Sequence, residues 1–255
     1  MKTTTQILLA LICATLAVNA RAQATGSTIN AKPPQIMAEE ILEKNIAAIG
    51  GRSAIEKSAS YCLKATLEIR GRNVQGALEV CGKAPDKMLT VTTFDKVGVI
   101  KQGFDGKTGW SQDPYQGLRT LEGDELEKIR AQAVFNSELK WRELFIKAEL
   151  TGREKVGEQD AYVIRLTSMD GTTVTRYYDA ATFLLLREDA VDEGPQGKIP
   201  RETLYTDYRE VDGVKTAFQW TQKTPVGEMI IKITEVKTNA EIDDSRFAKP
   251  VRAGS

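Results

Sequence analysis

The sequence predicts an α+β fold in which one strongly curved antiparallel sheet carries helices on its concave face. Short segments of alternating apolar and polar residues dominate the chain from residue 60 onward, and turn residues separate them. Helical spacing is confined to two segments, and helices do not alternate with strands, which argues against a nucleotide-binding βαβ unit. A sheet of so many strands cannot stay flat, so strong curvature is expected.

The first 24 residues have the features of a secretory signal peptide. Lys2 gives a positively charged start, Ile7 to Val18 form a short apolar run, and small residues suited to cleavage follow within residues 18–24. A membrane anchor is the alternative, but the run is shorter than the roughly 20 residues that span a bilayer. Residues 25–35 are small, polar and proline-containing and are predicted to be a flexible leader. The mature protein is therefore expected to work outside the cytoplasm.

Helical spacing begins at Ile36. Ala38, Ile41, Leu42, Asn45, Ile46 and Ile49 recur every three or four positions, and Gly50-Gly51 ends the predicted helix. Ser53 is expected to cap a further short turn. A second helix is predicted over residues 124–135, where it interrupts the strands near their middle. Residues 36–255 are predicted to form a single domain.

Two cysteines remain after removal of the signal peptide. If Gly71-Arg72 forms the centre of a hairpin, Cys62 lies opposite Cys81 and Leu63 lies opposite Val80. The apolar side chains then share one face, and the two sulfur atoms meet on the outer surface within reach of a disulfide. A structural disulfide is predicted for an oxidising compartment. Two free thiols with a redox role are the alternative, although C-x-x-C spacing is missing.

Twelve strands are predicted in all. They cover residues 60–69, 76–83, 87–94, 97–104, 108–111, 145–150, 161–167, 172–179, 183–189, 203–209, 214–222 and 228–236. Asp-Gly pairs at 105, 170 and 212 lie between successive strands, as tight hairpins prefer. Strands joined this tightly are antiparallel.

The composition excludes several classes of function. The 35 basic and 35 acidic residues cancel, and no basic cluster is present, so nucleic acid is not an expected partner. The chain contains 0 histidines, which excludes Ser-His-Asp and Cys-His catalysis and histidine metal ligands. No catalytic residue, metal site or cofactor is predicted, and no transmembrane segment is expected in the mature chain.

Residues 103–110, GFDGKTGW, contain two fragments of catalytic motifs. GKT lacks the earlier glycine of a phosphate-binding loop, and no helix follows it. KTG precedes the S-x-x-K match at residues 137–140, which reverses the order found in penicillin-recognising serine enzymes. The segment is therefore predicted to be a hairpin, with Asp105-Gly106 in the turn and Gly109 making room beside Trp110.

A curved sheet has to fill its concave side. Its inward side chains are large and apolar, and any volume that they and the helices leave unfilled is suited to acyl chains. The predicted lipid-binding residues are Leu63, Leu67, Leu78, Val80, Trp110, Trp220, Met229, Ile231 and Ile233, with Trp141 as a further residue at the cavity mouth. An ordinary packed core is the alternative for each of them.

Several short motifs resemble one known family. They are the helix that ends in Gly-Gly, GFDGKTGW, Ala84 to Lys87 (APDK), Tyr177 to Thr182 (YYDAAT), Asp207 to Lys215 (DYREVDGVK) and Ile242 to Pro250 (IDDSRFAKP). Together they are similar to the outer-membrane lipoprotein-sorting carriers, the LolA/LolB-like proteins of Gram-negative bacteria. The resemblance implies an open, unclosed β-barrel of about eleven strands. It also implies a helical lid over an apolar cavity that shields lipid acyl groups as they cross the periplasm.

The leading hypothesis is a periplasmic carrier or binding protein for lipid or lipoprotein acyl chains, without catalysis. Other cell-envelope proteins are further candidate partners. One alternative is an envelope interaction module with a solidly packed sheet. Another is a hydrolase that uses a carboxylate pair. Adjacent acidic residues such as Asp192-Glu193 and Asp243-Asp244 are poor pairs, because neighbours on a strand point to opposite faces.

Overall fold

The computed structural model describes residues 36–194, 197–225 and 227–251. The predicted signal peptide and leader, residues 1–35, lie outside them. The helices are α1 (Ala38–Ala48), α2 (Arg52–Glu56), α3 (Gly123–Ala133) and α4 (Trp141–Leu144), with short 3-10 turns at Ser137–Lys140 and Asp244–Arg246. Across the described ranges, none of the helices has the length and apolar character needed to cross a membrane.

Thirteen strands in the described residues form one antiparallel sheet. They are β1 (Ser60–Arg70), β2 (Val74–Lys83), β3 (Lys87–Phe94), β4 (Gly98–Phe104), β5 (Gly109–Asp113), β6 (Gly117–Thr120), β7 (Phe145–Val156), β8 (Gln159–Ser168), β9 (Thr173–Asp179), β10 (Leu185–Gly194), β11 (Gly197–Val211), β12 (Val214–Thr224) and β13 (Gly227–Thr238). The single antiparallel sheet is confirmed. Sequence patterning missed β6, because four residues are too few to show an alternation.

The strand order is β6-β5-β4-β3-β2-β1-β13-β12-β11-β10-β9-β8-β7. Every neighbouring pair except β1 and β13 is consecutive in the chain. Two meanders, β1 to β6 and β7 to β13, are therefore joined where the first strand pairs with the last. The sheet is strongly curved and does not close, as predicted. Its edge strands β6 and β7 are connected by the helical segment that contains α3 and α4.

Helix α1 covers the concave face of the second meander. Its apolar side packs into one cluster with residues of β8 and β9: Ile41, Leu42, Ile46, Tyr162, Ile164, Leu166 and Tyr178. The helix ends where predicted, and a methyl group at Gly50 would lie 2.2 Å from the carbonyl oxygen of Gly213. Gly51 is the N-cap of α2, so the prediction that Ser53 caps this turn is wrong.

Helix α3 covers the concave face of the first meander. Ile129 and Ala133 pack with Met88, Phe104 and Leu121. A methyl group at Gly109 would lie 2.9 Å from side-chain atoms of Ile129 and Leu126. Gly109 therefore makes room for this helix. The prediction that it makes room beside Trp110 is wrong.

The predicted pairing of β1 with β2 is confirmed. Cys62 lies opposite Cys81, Leu63 lies opposite Val80, and the last pair before the turn is Ile69 with Val74. A disulfide joins the two cysteines on the convex face. The prediction placed the two sulfur atoms on the outer surface, but Cys81 is 0% exposed.

A C-terminal strap, residues 239–251, covers this part of the convex face. Beneath it, Cys62, Cys81, Leu89, Gly103 and Trp110 lie directly opposite one another across β1 to β5. Ile242 and Phe247 of the strap pack onto this row. The strap thus gives the first meander a second apolar layer outside the sheet.

Polar contacts fix the strap in place. The indole Nε1 of Trp110 donates a hydrogen bond of 2.8 Å to the carbonyl oxygen of Phe247. The Nζ atoms of Lys83 and Lys87 lie 2.7 and 2.6 Å from the carboxylate of Asp244. These two lysines lower the pKa of Asp244 to about 2. Asp243 accepts a hydrogen bond from the backbone of Ser245, so the adjacent carboxylates have structural partners.

Candidate functional site

A cavity of about 430 Å³ lies on the concave side of the sheet. Its walls come from the α1–α2 turn, the C-terminal end of α3 with the residues that follow it, and strands from both meanders. This volume falls within the roughly 300–1,000 Å³ of typical small-molecule sites.

Apolar side chains from all of these elements line the cavity. Ile49 and Ile55 come from the α1–α2 region, Phe135 follows α3, and Leu63 and Trp220 come from β1 and β12. The backbone N–H of Phe135 donates to the carbonyl oxygen of Pro85, which anchors the end of α3 on the β2–β3 turn. The cavity is thus bounded by packed secondary structure on several sides.

The sheet forks beside the cavity. Strands β12 and β13 pair from Thr224 with Gly227 as far as Gln219 with Lys232, and within the described residues the pairing ends there. The remaining part of β12 stays with β11, and the remaining part of β13 stays with β1. Residues of both diverging segments, including Ala217 and Val236, line the cavity. The cavity therefore extends into the gap between the two strands.

Two tyrosines of β11 line the cavity although their spacing places them on opposite faces of a regular strand. Asp207 lies between Tyr205 and Tyr208 and has a φ of 55°, a left-handed conformation that interrupts the alternation. Burial raises the pKa of both phenols, and burial raises the pKa of Tyr61 to about 12. All three side chains are therefore neutral hydrogen-bonding groups at neutral pH.

Helices α1 and α2 form a lid beside the cavity. Charged and amide side chains form the rim where this lid meets the strands. Asn239 accepts a hydrogen bond from the backbone of Ala59, and the Thr238 hydroxyl donates to the carboxylate of Asp212. Lys57 and Lys215 also line this region, and both side chains are exposed. The cavity thus has an apolar interior and a polar rim.

Solved structures with the same architecture were found for this chain. A DUF1329 family protein from Desulfovibrio piger matches with a TM-score of 0.58 and 14% identity, over 83% of this chain and 97% of that protein. A LolA superfamily protein from Nitrosomonas europaea matches with a TM-score of 0.58 and 14% identity, over 84% and 99%. A putative outer membrane lipoprotein-sorting protein domain from Vibrio parahaemolyticus matches with a TM-score of 0.54 and 13% identity, over 82% and 97%.

The chain has a LolA-like fold. This confirms the resemblance identified from the sequence motifs as a resemblance of fold. No protein-family model matches the chain, and no curated protein matches it either.

Most of the predicted lipid-binding residues cluster within this LolA-like fold. Leu63 and Trp220 line the cavity itself. Six others pack with Leu63 and Trp220 in one apolar cluster, which joins the central strands on the concave face. They are Leu67, Leu78, Val80, Met229, Ile231 and Ile233. The structure therefore brings eight of the nine predicted residues together, and their role in lipid binding stays a prediction.

Trp110 and Trp141 do not lie at the cavity. Trp110 is 1% exposed and packs beneath the strap on the convex face, because it shares the row that contains the disulfide. Trp141 packs against α1, where its Nε1 donates to the Glu43 carboxylate at 3.3 Å. The expectation that these indoles line the mouth is wrong.

Several lining residues were missed at the sequence level. The spacing of Tyr205 and Tyr208 is that of residues on opposite faces of a strand, and nothing in the local pattern marks the left-handed conformation of Asp207. The 132–138 segment and the α1–α2 turn reach the cavity only through tertiary packing. The Gly50-Gly51 pair is the one local signal, since it indicates a close backbone approach at this turn.

Proposed function

We propose that this protein is a carrier or binding protein for lipid or lipoprotein acyl chains, and that it acts in the periplasm. The observation that carries the proposal is the cavity of about 430 Å³ between the sheet and the helices, with its apolar interior and polar rim. The predicted signal peptide supports the location. One structure of similar fold is described as a putative outer membrane lipoprotein-sorting protein domain, which accords with this function.

The energetics favour a flexible apolar ligand. An acyl chain in the cavity exchanges water for contact with side chains such as Leu63, Phe135 and Trp220. Each buried methylene contributes about 0.8 kcal/mol. The neutral phenols of Tyr61 and Tyr205 can donate to ester or carboxyl oxygen atoms without placing a charge inside the cavity.

A hydrolytic role is less well supported by the same site. Glu138 and Asp212 are the carboxylates that line the cavity in the described residues, and both side chains are exposed at its rim. The general acid of a carboxylate pair usually needs a desolvated environment that keeps it protonated. Asp212 is also held by the hydroxyl of Thr238. Binding without catalysis is therefore the proposal.

Displacement of a neutral fluorescent probe by a series of saturated fatty acids tests this function. While the chain fits the cavity, removal of two methylenes should weaken binding by about 1.6 kcal/mol, or about 15-fold. The variant Val236→Trp fills the cavity from β13 and should reduce binding of every member. Val99→Trp is the matched control, since Val99 is a strand residue that is 41% exposed and lies away from the cavity.

Two results would contradict the proposed function. The first is that the purified protein carries no extractable lipid and that no fatty acid of any chain length displaces the probe from it. The second is equal binding by Val236→Trp and Val99→Trp, which would place the ligand outside the cavity. Far-UV circular dichroism of both variants establishes that each one is folded.

A further inference from the structure

Two lysines at the cavity rim have no ionic partner. Within the described ranges, no carboxylate lies within 4.0 Å of the ammonium group of Lys57 or Lys215. The third lysine of the cavity, Lys87, is different, because its Nζ lies 2.6 Å from Asp244. Lys57 and Lys215 are therefore the cavity lysines whose positive charge is available to a ligand.

The fold places both lysines at the same part of the rim. Lys57 is the residue that follows α2, and a methyl group at Gly213 would lie 3.8 Å from Ala54 of that helix. Lys215 is two residues beyond Gly213, and its backbone N–H donates to the carbonyl oxygen of Ile49 at 2.8 Å. Both residues therefore lie next to the contact between the α1–α2 region and the β11–β12 turn, and both line the cavity.

We propose that the cavity selects amphiphiles with one anionic headgroup, a carboxylate or a phosphate, which Lys57 and Lys215 bind at the rim. The inference rests on the proposed function, because the chain of the same ligand occupies the apolar interior. A headgroup at the rim stays hydrated while the chain is buried, which avoids the large cost of desolvating an anion. Hydrogen bonds between an ammonium group and an anionic oxygen are stronger than those between neutral groups.

The acidic residues of the cavity leave room for this anion. The Asp212 carboxylate is engaged by the Thr238 hydroxyl. Within the described ranges Glu138 forms no ion pair with either lysine, and its charge contributes to the raised pKa of Tyr61 after the larger effect of burial. The part of the rim between α2 and the start of β12 therefore presents the two ammonium groups together with the Asn239 amide.

Competition among ligands of equal chain length tests the headgroup preference. Myristate, myristyl phosphate and myristyl alcohol compete with a neutral fluorescent probe on the full mature chain, below their micelle concentrations. The wild type should bind one or both anions about tenfold more tightly than the alcohol. The double variant Lys57→Gln/Lys215→Gln should lose this difference and keep its affinity for the alcohol within about twofold. Lys107→Gln, in the exposed β4–β5 turn, should behave as the wild type.

Each outcome distinguishes the headgroup from the cavity. Equal affinity of the wild type for the alcohol and both anions would overturn the headgroup inference and leave the proposed function standing. An equal loss for all three ligands in the double variant would also overturn it, since the lysines would then only shape the site. If none of the three ligands displaced the probe, the proposed function itself would be contradicted. A preference for myristate or for myristyl phosphate identifies which anion the rim recognises and supports the inference.

Discussion

The C-terminal strap is expected to be part of the cooperative core, and Phe247→Ala tests this directly. Phe247 is 0% exposed and packs with Cys81, Leu89 and Trp110 on the convex face. Removal of a fully buried phenylalanine side chain typically costs about 3–5 kcal/mol, since transfer energy and a cavity term add. For a domain of this size that loss corresponds to a fall in the melting temperature of about 10 °C.

Urea unfolding followed by circular dichroism measures the change in the free energy of unfolding. Val251→Ala provides the matched control within the strap, because Val251 is 94% exposed and its truncation should change stability by less than about 0.5 kcal/mol. A loss below about 1 kcal/mol for Phe247→Ala would refute the reasoning. An unchanged midpoint with red-shifted tryptophan emission would show that the strap opens independently and uncovers Trp110.

Three further predictions concern the same framework. Replacement of Cys62 and Cys81 together by alanine should cost about 3 kcal/mol in urea unfolding, since the disulfide closes a loop with a sequence separation of 19; no loss would show that it does not constrain the unfolded chain. Gly103→Ala should cost about 1–3 kcal/mol, because its methyl group would lie 2.4 Å from the Trp110 ring, and added Trp110→Phe should recover part of this loss. Burial would raise the pKa of Asp179, but hydrogen bonds from Thr182, Ala181 and Gln159 outweigh it and lower the pKa. The stabilisation of the fold by the Asp179 carboxylate is therefore present above the unfolded pKa of about 3.9 and is lost as pH falls through the lower folded pKa. Asp179→Asn should lower the free energy of unfolding by about 1–3 kcal/mol at pH 7 and by less at pH 2. An equal loss at both pH values would contradict this reasoning.

Local patterns were sufficient for most of the sheet. The pairing of Cys62 with Cys81 followed from alternation and one turn, because register in a hairpin depends only on residues close in sequence. Strand ends were less certain. The β11 strand begins at Gly197, before the predicted start at Thr203, since pairing with β10 extends it beyond the alternating segment.

Packing on the convex face could not be predicted from local patterns. The polar face of β1 and β2 indicated an exposed disulfide, and it is buried only because residues about 160 positions away fold back over it. Alternation reports which side chains are apolar, and it does not report which remote segment covers them. For the same reason Trp110 was assigned to the cavity face although it belongs to the opposite one.

The location of the cavity follows from the way in which the two meanders meet. Strand β13 pairs along β1 beyond the point where β12 leaves it, so the fork opens at the junction of the two halves of the chain. The lid is tied to this junction, since Ile49 accepts a hydrogen bond from Lys215 at the start of β12. The lining residues therefore come from segments that are far apart in sequence, and no contiguous motif can encode them. A site of this kind is recognised by its shape and its charges, which is why Lys57 and Lys215 became significant only once the fold had placed them on one rim.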